Sequence, residues 1–112
     1  PRNADAIHLL GVIHAQQGDH AQAEKLISEA LAIKEVWAFH DNLAKSLQEQ
    51  GKLAEAIDAY ARAFDLKPDH YDSITTAAFL AVGMGTLTKA VALFRRLLQV
   101  RAFSCSSPAA RA

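Results

Sequence analysis

Three glycines, Gly18, Gly51 and Gly85, stand 33 and 34 residues apart in a chain of 112. Ala23, Ala56 and Ala90 keep the same spacing, and so do Leu10, Leu43 and Ala77. Self-similarity at a period of this size is the mark of a repeat architecture, and it restricts the fold more than composition does. Each glycine ends one run of helical periodicity and precedes another, where a turn between helices favours a residue at ease in the left-handed region. The chain therefore reads as three helix-turn-helix units, with helices over 3–17 and 20–34, 37–50 and 53–66, and 71–84 and 87–101.

The small residues have a packing role. Gly11, Ala44 and Ala78 on the first helices, and Ala23, Ala56 and Ala90 on the second, let each pair approach closely while larger residues fill the gaps. A bulkier side chain at such a contact overpacks it, at a cost of ~1–3 kcal/mol.

Unit one supplies Ile7, Leu10, Gly11, His14, Ala23, Ile27 and Ala30. Unit two supplies His40, Leu43, Ala44, Leu47, Ala56, Tyr60, Ala63 and Pro68, and unit three Ile74, Ala77, Ala78, Ala81, Ala90 and Phe94. This pattern resembles the tetratricopeptide repeat over about residues 4–104. The resemblance implies an all-α solenoid of three repeats, about 4–36, 37–70 and 71–104, stacked as a right-handed superhelix. It makes 1–103 a single domain and 104–112 a flexible tail. Two units depart from the pattern. Unit one has Glu35 in place of the closing proline and is one residue short before Trp37, while unit three has Leu97 and Ala102 in place of alanine and proline.

In this family the first helices line a concave groove that holds extended peptides. With the packing residues turned inward, the opposite faces show Asp5, His8 and Val12, then Asp41, Asn42, Lys45 and Gln48, then Thr75, Thr76 and Phe79. The resemblance makes these the partner-binding set. Chaperone-binding members grip a terminal carboxylate with lysines, an arginine and asparagines; here only Asn42 fits, and Asp72 would repel that ligand. An asparagine ladder, as in O-linked N-acetylglucosamine transferases, is matched by Asn42 and not by Leu9 or Thr76. The stretches NADAIHLLGVIHAQQGDH and NLAKSLQEQGKLAEAI are nonetheless similar to solenoids of bacterial relatives of that enzyme. On that alternative the chain would be the recognition arm of a larger protein.

Other chemistry is poorly supported. His8 and His14 lie about 120° apart around a helix and cannot share a ligand face, and His20, His40 and His70 fall elsewhere in the repeat. GMGTLT at 83–88 follows a helix and lacks the third glycine of a dinucleotide loop. Glu55 and Asp58 are one turn apart on an outer face, with no cleft to shift their proton affinity. Cys105 is the single cysteine and has no basic neighbour to activate it. The expectation is a cytoplasmic, non-catalytic protein-interaction module without cofactor or metal.

Acids and bases balance at twelve each, yet residues 1–70 hold seven bases and eleven acids, while 71–112 hold five bases and one acid. Basic residues without interleaved aromatics do not make a nucleic-acid surface. The longest apolar stretch, AAFLAVGMG, is far short of the ~20 residues a membrane helix needs. Phe94, Leu97, Leu98 and Phe103 mark an apolar C-terminal edge with no capping helix after it, so self-association there, as a homodimer, is expected.

Overall fold

The structure is a computed structural model that describes residues 3–105, with side chains through Gln99. Six helices follow one another: α1 (Ala4–Gln16), α2 (His20–Ile33), α3 (Trp37–Glu49), α4 (Leu53–Leu66), α5 (Tyr71–Gly83) and α6 (Leu87–Cys105). They pair as α1 with α2, α3 with α4 and α5 with α6, and α2 packs on α3 and α4 on α5. The architecture is the all-α helical repeat expected from the glycine spacing.

Each pair is closed by the same device. Gly18, Gly51 and Gly85 have φ of 86°, 80° and 80°. In unit one the amide of Gly18 donates to the Ala15 carbonyl (3.0 Å) and that of Asp19 to the His14 carbonyl (2.9 Å). The same two bonds recur at Gly51 and Lys52 and at Gly85 and Thr86. This is the Schellman arrangement, which satisfies carbonyls left over at a helix C-terminus and needs a left-handed residue to do so. Asn3 and Asp19 cap α1 and α2 by accepting from the amides of Ala6 and Gln22.

The alanine contacts lie where the repeat places them. Ala23, Ala44, Ala56 and Ala78 are wholly buried and Ala90 nearly so. A Cβ on Gly11 would meet Ile27 Cγ1 at 2.8 Å, which shows how closely α1 approaches α2. The buried side chains form two clusters. One joins Ala4, Ala23, Ile27, Ala30 and Phe39 across units one and two, and a larger one runs from Ala44 to Leu93. Leu43 packs against both.

Ion pairs run between successive second helices. Lys52 Nζ lies 2.9 Å from Glu24 Oε1, Lys89 Nζ lies 3.0 Å from Asp58 Oδ1, and Arg96 pairs with Asp65. The hydrogen bond from Lys52 holds the Glu24 carboxyl below its ordinary range, and the same contact raises Lys52. Such exposed pairs are screened by solvent, so they favour the register more than the stability.

Two expectations need adjusting. Leu10, assigned to the packed face, is half exposed because no described residue covers that side of α1. Helix α6 runs to Cys105, four residues beyond 101. The side chain of Phe103 and the tail beyond Cys105 lie outside the described residues.

Candidate functional site

The first helices α1, α3 and α5 are tied to one another by polar side chains. Asn42 Nδ2 lies 2.9 Å from His8 Nε2, and the His8 ring stacks on Phe39 with centroids 4.2 Å apart. Burial lowers the proton affinity of His8, partly opposed by the charge of Asp5. A neutral ring suits the contact, because its Nε2 can then accept from the Asn42 amide. Between α3 and α5, Ser73 donates to Asp41 Oδ1 (2.9 Å), while Lys45 Nζ sits 3.1 Å from Asp41 Oδ2. His70 Nε2 lies 3.7 Å from the same carboxylate and its ring leans on Trp37.

The expected partner-binding residues therefore divide. His8 and Asp41 are buried in the helix junctions and have their polar atoms engaged there. Asp5 is exposed and pairs with Lys34 at 3.5 Å. Gln48 accepts from the Tyr60 hydroxyl (2.8 Å). Burial, with the charges of Asp41 and Glu49, pushes that phenol up to about 12. Thr75 and Thr76 are half-buried, and Phe79 is exposed with its ring edge-on to Phe94 at 5.8 Å.

Val12, Asn42 and Lys45 come together. With Ala15, Gln16, His20, Ile27, Ser46 and Glu49 they line a cleft of about 180 Å³ between units one and two. Ile27 gives it an apolar floor, and the amides and charges stand around it. Gln16, His20 and Ser46 were not expected there. Ser46 did carry a signal, since this small polar residue aligns with Ile13 and Leu80 in the other units.

The residues weighed for other chemistry do not assemble. Glu55 and Asp58 are exposed on α4, and Asp58 is paired with Lys89. Among the described residues no group of three histidine, cysteine or acidic side chains could hold a metal, and no helix is long and apolar enough to cross a membrane.

Helix pairs closed by one recurring glycine turn, with alanine at the closest approaches and first helices linked to each other, define a tetratricopeptide repeat solenoid. Residues 1–81 match the family described as Tetratricopeptide Repeats-Sensor, and the chain belongs to it. Among solved structures the fold is similar to one described as the crystal structure of MamA protein, with a TM-score of 0.82 and 20% identity over 95% of this chain and 58% of that one. A second MamA crystal structure gives a TM-score of 0.79 and 21% identity over 92% of this chain and 61% of the other. The chain thus spans less than two thirds of either relative's length. Sequence comparison with curated proteins gives no match.

Proposed function

We propose that the protein is a non-catalytic interaction module that takes an extended peptide segment of a partner protein along α1, α3 and α5. The observation that carries this reading is the cleft bounded by Val12, Asn42 and Lys45, an apolar recess with an amide and a cation at its rim. An apolar side chain of the ligand would enter the recess, with Ile27 beneath it. The Asn42 amide nitrogen is directed at His8, so its oxygen would accept from a main-chain N–H of the ligand. Lys45 adds a preference for a nearby acidic group, and exposed Phe79 extends the contact towards unit three. A main-chain contact of this kind reads extended backbone first and sequence second.

The family description adds a sensing role: occupancy of the cleft would be the state read out. The narrower likeness, to the recognition arm of O-linked N-acetylglucosamine transferases, has Asn42 in its favour and leaves the contact set unchanged.

The test is a peptide array followed by titration calorimetry of the tightest binder. Asn42→Ala should weaken it by ~1–3 kcal/mol, the range for a hydrogen bond whose partner is left buried and unpaired. Val12→Trp, which fills the recess, should weaken it further, while Glu55→Ala on the outer face of α4 should not matter. Equal affinity in all three variants would remove the cleft from the function.

A further inference from the structure

The two ends of the described solenoid expose faces that the same repeat positions bury inside it. On α1, Ile13 aligns with Ser46, and Leu10 with Leu43 and Ala77. Ser46 is 2% exposed and Ala77 fully buried, and Leu43 packs into the core shared with the preceding unit. Leu10 and Ile13 are instead 47% and 50% exposed. On α6, Val91 aligns with Ile57 and Leu98 with Phe64. Ile57 and Phe64 are 1% and 2% exposed, whereas Val91 and Leu98 are 54% and 64% exposed. Leu10, Val91 and Leu98 are thus exposed at positions where the interior units are apolar and covered by a neighbour, and Ile13 is exposed where Ser46 is covered.

We propose that these edges bind each other between copies, the α6 edge of one chain packing on the α1 edge of a second, head to tail. The occupant is specified by the molecule's own junctions. At α2 on α3 and at α4 on α5, the outgoing face of a second helix meets the incoming face of a first helix. The α1 and α6 edges of the described residues present one face of each kind, so a second copy would continue the stack with a junction the sequence already makes twice. Two α6 edges facing each other have no such template.

Charge points the same way. The segment after residue 70 carries five bases against one acid, with Arg95 exposed on α6, and the segment before it carries eleven acids against seven bases. Like-signed edges, α6 on α6, are disfavoured by the same charges. A heterologous contact does not close on a dimer, so the assembly grows with concentration.

Sedimentation velocity and light scattering of the 112-residue chain, over a concentration series, test this with Leu10→Glu and Leu98→Glu. The parent mass should rise past that of a dimer without a plateau. Each variant alone should be a folded monomer by circular dichroism, and an equimolar mixture of the two should double in mass and stop there. Leu98→Glu keeps a sound α1 edge and Leu10→Glu a sound α6 edge, so only one joint can form. Should either variant fail to fold, Ile13→Lys and Val91→Lys block the same two edges. A parent that stays monomeric at millimolar concentration overturns the proposal and leaves the edges to a different partner. So does a Leu10→Glu variant that still dimerises, which would place α6 against α6, or a mixture that stays monomeric.

Discussion

Gly11→Ala tests the close approach of α1 to α2 with a single carbon atom. The added Cβ would lie 2.8 Å from Ile27 Cγ1, and 3.3 Å from both the Ala23 carbonyl and Leu26 Cβ. Ile27 is fully buried and Ala23 O is backbone, so neither can swing aside. The helices must part, and overpacking of this kind costs ~1–3 kcal/mol. Against that, alanine in place of a helical glycine recovers ~0.5–1 kcal/mol of backbone entropy. The net is a loss of roughly 0–2.5 kcal/mol, centred on ~1 kcal/mol, which moves the melting temperature of a domain this size by ~4–8 °C. Gly83→Ala is the control, because nothing lies within 4 Å of a Cβ there and its φ is not in the left-handed region. Thermal melts followed by circular dichroism should show Gly11→Ala several degrees below the parent and Gly83→Ala level with it or slightly above. A Gly11→Ala melt raised as much as that of Gly83→Ala would refute the packing argument and the pairing of Gly11 with Ala44 and Ala78.

Asp41→Ala should destabilise the fold by ~1–3 kcal/mol in urea unfolding, since it leaves the Ser73 hydroxyl buried without its acceptor; an unchanged midpoint would show that the α3–α5 tie contributes nothing. His8 has its proton affinity lowered by burial, so the unfolded chain, at the ordinary value of 6.5, takes up the proton first. Its contribution is complete above that value and is lost as pH falls through the window below it. Melting temperatures measured from neutral to mildly acidic pH should fall less steeply in His8→Gln than in the parent. Tyr60 shows the opposite dependence at high pH. With its phenol pushed up to about 12, the unfolded chain gives up the proton first, so stability is lost as pH rises from 10 towards 12. Ultraviolet titration of the folded protein should show a phenolate step near 12 that is absent in Tyr60→Phe.

Much of the fold was legible because its punctuation is local. The glycine turns at 18, 51 and 85 depend on residue type alone, and helix starts at 20, 37, 53, 71 and 87 coincide with those read from the sequence. What escaped depends on neighbours far along the chain. His8 and Asp41 lie on the face of their helices opposite the packing residues, as periodicity requires. That face also meets the adjacent first helix, so Phe39 and Ser73 bury them from there. A helical pattern gives the direction of a side chain but not whether another helix stands in front of it. The end of α6 escaped because no glycine or proline follows residue 101 until Pro108. The cleft was half visible: Val12, Asn42 and Lys45 share the expected face, whereas His20 reaches it from the start of α2.

The division of the buried side chains into two clusters gives the molecule a seam. The smaller cluster has five buried residues and the larger thirteen, with Leu43 shared between them. In a linear stack with nearest-neighbour contacts, a seam of this kind lets the α1–α2 pair open separately from the rest of the described helices. The cleft spans that seam, with Val12 on one side and Asn42 on the other. On the proposed function, a ligand seated there would act as a clasp, part of its binding free energy going into suppressing the local opening of α1 and α2. Occupancy would then be written into amide-exchange rates along α1 and α2 more than into any change of shape. A downstream partner could register it as the lifetime of an intact N-terminal pair.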